Sequence, residues 1–351
     1  MMLGDLGAHV IKVERPGSGD DTRGWGPPFA EDGQSAYFRS VNRNKLSIAL
    51  DLRRPEDQQV VRGLLDEADI VVDNFLPGAL ASYGLDKVAE LARNSRLIWC
   101  TISGFGTDST RPGYDFVVQA EAGWMAVTGE PDGAPMKTAV ALVDVMTGKD
   151  ATVAILAALA ARERGVDAPR HLELSLSASA AAALVNVAQN VLVSGQDAKR
   201  WGNAHANLVP YQLFDAADRP LVIAVGSDSQ WRAAATALGL DALANDPELA
   251  TNAGRIAQRA RVVGELARQL RTAPAVQWMD RLGQAGVPCG LVRTVAEALA
   301  NGPASSVTGV TPAAGGEIRF APPPLDRHGE IIRRHYWRTF NLLPILDRQD
   351  V

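Results

Sequence analysis

The segment Thr138–Ala160, TAVALVDVMTGKDATVAILAALA, joins a short apolar run to a long stretch rich in Ala and Leu. The run Ala139–Val143 predicts a buried strand or core segment, and the Ala-rich stretch predicts a packed helix that ends at Gly165. Asp144 lies where the apolar run meets the predicted helix. Free N–H groups and positive partial charge at a helix start favour an ionised carboxylate, so Asp144 is either a helix cap or a functional group.

Upstream of this segment, apolar runs alternate with helical patterns over the first hundred residues. Four of these runs are predicted to be strands: His9–Glu14, Leu46–Asp51, Ala68–Phe75 and Arg96–Ile102. Strands that alternate with helices predict an α/β fold with a parallel sheet and right-handed crossovers. Ligands of such sheets bind at the carboxyl ends of the strands, which makes Glu14-Arg15, Asn74-Phe75 and Ser103-Gly104 candidate site positions.

Downstream of the central segment, the pattern predicts one more strand, His171–Leu176, and an Ala-rich helix to about Val193. The polar and Gly-containing segment Gly195–Asn207 indicates a domain boundary. Beyond it, Pro220–Val225 and Val287–Val292 are expected to be extended, with largely helical sequence between them.

Bulk properties exclude several classes of protein. The chain has 351 residues, enough for two domains, and a formal net charge of −5 without a basic run, so no nucleic-acid partner is expected. Cys100 and Cys289 both lie in apolar segments and are expected to be reduced thiols. No apolar run is long enough to span a membrane, and no signal peptide precedes the first strand, so we expect a cytoplasmic protein without a membrane partner.

The common catalytic signatures are absent from the sequence. No GxGxxG follows a strand, no GxxxxGK[ST] occurs, and His and Cys never cluster at metal-ligand spacing, so no metal site is predicted. The remaining candidates are Asp144, the triplet Gly113-Tyr114-Asp115, the turn Asn74–Gly78 and the loop Ser103–Gly106. Each alone is weak, because a helix start or an Asx turn has the same composition.

Together and in this order, these motifs resemble the class III CoA-transferase family, which contains formyl-CoA and carnitine CoA-transferases and the α-methylacyl-CoA racemases. The resemblance extends from Gly4 to about Leu325. It rests on the segments VIKVERPGSGDDTRGWGPPF, NRNKLSIALDL, ADIVVDNFLPGAL, ISGFG, RPGYDFVVQAEAGWMAVTG, LVDVMTGKDATVAILAAL, GNAHANLVPYQLF and GVPCGLV.

The resemblance implies roles for individual residues. Asp144 matches the aspartate that is the covalent nucleophile of the transferases. Tyr114 and Asp115, with Gly104 and Gly106 of the SGFG loop, are implied to support the site or lie near the substrate, the loop N–H groups being possible oxyanion donors. The implied CoA-contacting residues are Arg15, Leu50, Asn74, Phe75 and Ala79.

The resemblance favours transfer of CoA from an acyl-CoA to a carboxylic acid through an aspartyl-CoA thioester. Racemase members have a histidine at the position of Tyr114, and a tyrosine with a reference pKa near 10 is a poor base at pH 7. Two alternatives stay open: an acyl-CoA α-carbon racemase or epimerase, and an inactive CoA-binding homologue. CoA and acyl-CoA are expected as substrates, with no permanently bound cofactor.

The family fold implied by the resemblance is an interlocked, ring-like homodimer. Residues 1–200 would form a large Rossmann-like domain to which 303–351 return, and residues 203–302 a smaller α+β domain. The sequence departs from the family in two ways. It starts after the position of the family's first strand, so that strand is expected to be missing. Ser82 replaces an arginine that some transferases place near the CoA phosphates, which leaves phosphate binding more to Arg15.

Overall fold

The computed structural model describes residues 1–300 and 309–346, which divide into two compact units. The first unit contains residues 1–122, 139–185 and 309–346. The second contains residues 123–138 and 186–300. The observed units therefore differ from the predicted ranges in two places: the second unit starts at Asn186 rather than near Asn203, and it includes the segment that precedes residue 139.

Eight strands form three sheets in the described residues. The first unit has two parallel sheets, of order β1-β2 and β3-β4-β5, and the second has one antiparallel sheet, of order β6-β7-β8. The predicted α/β class with parallel sheets is confirmed. The strands are β1 Ile11–Glu14, β2 Leu46–Ala49, β3 Ile70–Asp73, β4 Ile98–Ser103, β5 His171–Ser175, β6 Tyr211–Asp215, β7 Pro220–Ala224 and β8 Cys289–Leu291.

The helices connect and cover these sheets. They are α1 Met2–Asp5, α2 Ala36–Val41, α3 Pro55–Glu67, α4 Ala79–Ser82, α5 Lys87–Arg93, α6 Asp115–Glu121, α7 Trp124–Val127, α8 Leu142–Glu163, α9 Leu176–Ala182, α10 Val185–Ser194, α11 Asp228–Ala237, α12 Asp241–Ala244, α13 Asn252–Ala257, α14 Arg259–Leu270, α15 Ala275–Gln284, α16 Val295–Ala300, α17 Gly329–His335 and α18 Thr339–Leu346. Short 3-10 turns occur at Asp21–Gly24, Pro247–Leu249, Pro312–Ala314 and Tyr336–Arg338.

The last described residues complete the core of the first unit. Ile332 of α17 and Phe340 of α18 are buried with Leu46 and Ile48 of β2. The segment before β2 is hydrogen-bonded to the chain that leads to these helices: the N–H of Asn44 donates to the carbonyl of Phe320 at 2.9 Å. Burying apolar side chains contributes about 1.5–3 kcal/mol each, so this C-terminal segment is part of the unit's stability.

The predicted strand at Ala139–Val143 is wrong. Helix α8 begins at Leu142, and Val140 before it is exposed. Asp144 therefore lies in the first turn of the helix and is not its cap, since Ala141 occupies the cap position without a side-chain hydrogen bond. The cap comes instead from another helix, which short-range sequence signals do not reveal.

The single Ala-rich helix predicted to reach Val193 is two helices, α9 and α10. The break is at Val185, which has a positive φ of 41°. Within the described residues, no single helix has both the length and the apolar character to cross a membrane, although α9 and α10 together meet that condition as a pair bent by 69°.

Candidate functional site

Four of the predicted site residues directly follow parallel strands of the first unit. Arg15, Leu50, Asn74 and Gly104 are the residues immediately after β1, β2, β3 and β4. Parallel strands present their carboxyl ends at one edge of each sheet, so the alternating sequence pattern is enough to place these residues at strand ends where ligands bind. The CoA-binding roles of Arg15, Leu50 and Asn74 and the supporting role of Gly104 stay predictions.

A buried ion pair fixes the end of β1. The guanidinium of Arg23 donates to both oxygens of Glu14, at 2.8 and 2.7 Å, and Ser47 donates to Glu14 Oε1 at 2.7 Å. Burial alone would raise the pKa of Glu14, but these hydrogen bonds and the charge of Arg23 lower it. This network holds the loop that begins at Arg15.

The two candidate residues at the ends of β1 and β2 differ in exposure. Arg15 is exposed and forms an ion pair with Asp21. Leu50 is buried in the core, so a ligand would reach its backbone rather than its side chain. Of Arg15 and Leu50, therefore, only Arg15 has a side chain that can contact a CoA phosphate. Asp21 would compete with the phosphate for the guanidinium of Arg15.

Asp73 organises the turn that follows β3. One of its oxygens, Oδ2, accepts from Trp99 Nε1 at 2.6 Å and from Thr101 Oγ1 at 2.8 Å. The other, Oδ1, accepts from the backbone N–H of Phe75 at 3.1 Å. Asp73 thereby fixes the segment with Asn74 and Phe75, both exposed, and Ala79 begins α4 one turn later.

A cavity of 320 Å³ lies beside this turn and includes Phe75 but not Asp144 in its wall. Four carboxylates and one ammonium line it, namely Asp73, Asp86, Asp108, Glu173 and Lys87. This excess of negative charge makes the cavity a poor place for the CoA phosphates. The size of the cavity therefore does not identify the reaction site, and the chemistry of Asp144 carries more weight.

The SGFG loop packs against the residue that precedes Tyr114. A Cβ atom on Gly104 would lie 2.6 Å from the Cα atom of Gly113, so glycine is required there by contact. The N–H of Gly106 donates to Ser103 Oγ at 3.0 Å and is therefore already used within the loop. That contact weakens the expectation that Gly106 supplies an oxyanion donor.

Tyr114 occupies the N-cap position of α6 without a side-chain capping hydrogen bond, and its side chain is 63% exposed. Next to it, the buried Asp115 reaches across to α8. Its Oδ2 accepts from the N–H of Val143 at 2.8 Å and from the N–H of Asp144 at 3.3 Å. These are orphan donors of a helix start, so Asp115 acts as the N-cap that α8 lacks in its own sequence.

The carboxyl of Asp144 is harder to ionise than an ordinary aspartate. Partial burial of the side chain, and after it the negative charge of Asp115, raise its pKa from 3.8 to about 6. The residue remains exposed, so a reactant can reach it. A carboxylate that is ionised at pH 7, accessible and unusually basic is suited to nucleophilic attack.

Two residues near Asp144 were not predicted. Burial, and after it the negative charges of Asp144 and Asp115, raise the pKa of Tyr37 in α2. Its phenol is therefore within electrostatic range of both carboxylates. Its ring also contacts that of Trp25, with centroids 4.9 Å apart. Gln119 is fully buried and donates to Asp115 Oδ1 at 2.5 Å. Spacing from Asp115 could have indicated Gln119, as i and i+4 share a helix face, but no local signal marks Tyr37.

Across residues 1–300 and 309–346, no three His, Cys, Asp or Glu side chains come together as a metal site would require. The side chains linked to Asp144 include the carboxylate of Asp115, the amide of Gln119 through Asp115, and the phenol of Tyr37.

Comparison with known proteins agrees with the resemblance seen in the sequence. The profile of CoA-transferase family III matches residues 1–324. The succinate–glutarate CoA-transferase of Agrobacterium fabrum is 42% identical over 315 residues, which are 86% of this chain and 77% of the relative. The acetyl-CoA:oxalate CoA-transferase of Acetobacter aceti is 35% identical and covers 95% of this chain and 90% of its own length. The crystal structure of a CAIB/BAIF family protein from Brucella suis has a TM-score of 0.81, 39% identity and coverage of 95% and 93%.

Proposed function

The chain belongs to CoA-transferase family III and is a class III CoA-transferase, and from this premise we propose that it transfers CoA between carboxylic acids through a covalent intermediate on Asp144. The observation that carries the proposal is the accessible carboxylate in the first turn of α8, whose pKa is raised to about 6.

The first half of the reaction forms an aspartyl-CoA thioester. A carboxylate oxygen of Asp144 attacks the thioester carbonyl of the donor, the carbon–sulfur bond breaks, and CoA leaves as a thiolate. The thiolate then attacks the side-chain carbonyl of Asp144 in the mixed anhydride. The anhydride carbon–oxygen bond breaks and the donor acid leaves as a carboxylate, so no proton is gained or lost.

The second half runs these steps in reverse with the acceptor. The acceptor carboxylate attacks the aspartyl-CoA carbonyl and displaces the thiolate, giving a second mixed anhydride. Attack of the thiolate on the acceptor's carbonyl releases the Asp144 carboxylate and the new acyl-CoA. Covalent catalysis thus divides one difficult exchange into steps of similar chemistry.

Short dicarboxylic acids are the substrate class we propose. The A. fabrum relative is named for succinate and glutarate, and the A. aceti relative for oxalate. We propose that Arg15 meets the CoA phosphates and that Asn74, Phe75, Ala79 and the backbone of Leu50 contact the rest of CoA. The exposed Arg15 and the fixed turn after β3 support this assignment.

Intact mass after incubation with succinyl-CoA and glutaryl-CoA, without acceptor, tests the mechanism. We expect an adduct on Asp144 that hydroxylamine removes, and none in Asp144→Ala, which should still bind CoA. Turnover that survives in Asp144→Ala would rule the mechanism out. Exchange of the α-proton with deuterated water, without acceptor and without adduct, would instead indicate a racemase.

We further propose a cytoplasmic homodimer, with interlocking taken from the family resemblance. Apolar side chains that are exposed on two helices support a dimer: Val145, Val153 and Leu156 on α8, and Leu192 and Val193 on α10. Cys100 and Cys289 are free thiols, as expected in a reducing compartment. Light scattering should give twice the chain mass of 37.3 kDa, and Leu192→Glu should weaken the dimer.

A further inference from the structure

Gln119 belongs to a hydrogen-bonded chain that ends at the backbone of Asp144. Its amide Nε2 donates to Asp115 Oδ1 at 2.5 Å, one turn away on α6. The other oxygen, Asp115 Oδ2, accepts from the N–H groups of Val143 and Asp144 at 2.8 and 3.3 Å. Two helices that are separate in sequence are therefore joined through one carboxylate.

Packing alone does not require a glutamine at this position. A methionine has similar length and fills a similar volume, whereas a buried amide costs free energy unless its polar atoms are hydrogen-bonded. The amide of Gln119 holds Asp115 Oδ1, which leaves Oδ2 directed at the first turn of α8. The polar residue is thus used to fix the orientation of a charged one.

We propose that Gln119 is a positioning residue for CoA transfer, acting through Asp115 to hold Asp144 and the negative charge beside it in a fixed relation. The proposal rests on the proposed function for its activity readouts. Its structural part concerns only the described contacts between α6 and α8.

The charge that Gln119 holds in place has a chemical consequence. When the CoA thiolate attacks the mixed anhydride, either carboxylate can leave, and the weaker base leaves more readily. A substrate carboxylic acid has a pKa near 4.3, by analogy with glutamate, whereas Asp144 has a pKa of about 6, partly because of Asp115. The substrate carboxylate is then the better leaving group, which favours the aspartyl-CoA thioester.

Three variants test the proposal. Gln119→Met removes the donor at similar volume, and Asp115→Asn keeps an acceptor oxygen but removes the charge. Ser179→Ala is the matched control, because Ser179 is also buried and donates to a carboxylate of α8, that of Asp150, at 2.6 Å. A purely structural role for Gln119 predicts that Gln119→Met and Ser179→Ala behave alike.

Two readouts need no substrate. The carboxyl carbon of Asp144, assigned by NMR through its loss in Asp144→Asn, gives the titration midpoint, and hydrogen exchange reports on the amides of Val143 and Asp144. In Gln119→Met we expect a midpoint about half to one pH unit lower and exchange about tenfold faster. In Asp115→Asn the midpoint falls further while exchange stays slow. Ser179→Ala changes neither.

Activity supplies the third readout. Gln119→Met should form the Asp144 adduct about tenfold to a hundredfold more slowly, with the Kd for CoA within twofold of the original protein, because a small misplacement of a reacting group is costly. An unchanged midpoint and unchanged exchange in Gln119→Met would overturn the proposal, and so would changes that match Ser179→Ala. If the original protein forms no adduct, the proposed function fails, and the NMR and exchange results still decide the role of Gln119.

Discussion

Gly104 and Gly113 pack backbone against backbone: a Cβ atom on Gly104 would lie 2.6 Å from the Cα atom of Gly113, and the reverse distance is 2.5 Å. The contact joins the loop after β4 to the residue before Tyr114. It positions the start of α6, and with it Asp115, relative to the sheet edge.

This contact predicts that Gly104→Ala destabilises the protein and slows adduct formation. The methyl group would be forced into backbone, and overpacking of this kind costs about 1–3 kcal/mol. Thermal unfolding and the rate of the Asp144 adduct provide the measurements. Gly264→Ala in α14 is the control, since its Cβ would meet nothing within 4 Å and should stabilise the helix by about 1 kcal/mol. Equal behaviour of the two variants would contradict the prediction.

The pKa of Asp144 predicts the pH dependence of the reaction. Only the ionised carboxylate attacks the thioester, so the rate of adduct formation should rise about tenfold per pH unit below the pKa and level off above it. Stopped assays read by intact mass should place the bend near pH 6. A bend near pH 4 would show that the carboxyl is an ordinary aspartate.

The same carboxyl predicts a pH-dependent stability difference between the original protein and Asp144→Asn. Because the pKa is higher in the folded chain than its ordinary 3.8, the aspartate favours folding while protonated, and this contribution is lost as the pH rises through about 6. We therefore expect Asp144→Asn to melt at a relatively higher temperature at pH 7.5 than at pH 4. Thermal melts across this range measure the difference, and a constant offset would refute it.

Arg15 and Asp21 predict opposite changes in CoA affinity. Arg15→Ala should weaken CoA binding about tenfold to a hundredfold, the effect of losing a charge-assisted contact to phosphate. Asp21→Asn should tighten it by less than about fivefold, since an exposed ion pair contributes at most about 1 kcal/mol. Calorimetry measures both. Arg96→Ala, which breaks the exposed pair with Glu163, is the control. If Arg96→Ala weakened CoA binding as much as Arg15→Ala does, the role of Arg15 in CoA binding would be contradicted.

The buried pair of Glu14 and Arg23 predicts a large loss of stability in Glu14→Gln. Removing one charge leaves the other nearly buried and unpaired, which costs about 3–5 kcal/mol. Because the pKa of Glu14 is lowered in the fold, its contribution is present above pH 4.5 and is lost as the pH falls below that value. Urea unfolding at pH 7 tests this. Glu121→Gln, in an exposed pair with Arg111, should change stability far less, because water screens an exposed ion pair.

Much of the first unit could be predicted because its signals are local. Alternating apolar runs and helical patterns placed β1 to β5, and the residue after each strand placed Arg15, Asn74 and Gly104 at strand ends. The family resemblance, which covers nearly the whole chain, is confirmed by the match over residues 1–324.

Two of the failures share one physical cause, which is contact between residues distant in sequence. The start of α8 was misplaced because its cap, Asp115, lies 28 positions before Val143. Tyr37 was missed because its proximity to Asp144 exists only in the folded chain. The break at Val185 has no Gly or Pro to announce it, and a positive φ of 41° at a β-branched residue is not foreseen from composition.

The burial of Ile332 and Phe340 against β2 bears on how the protein is made. A ribosome that has released only the first three hundred residues has produced Leu46 and Ile48 but not the side chains that cover them. The nascent first unit must expose apolar surface until Ile332 and Phe340 have been synthesised, while the second unit can complete its own core earlier. The first unit therefore begins to be synthesised first but completes its core last. Chaperones would act during the interval in which its apolar surface is exposed.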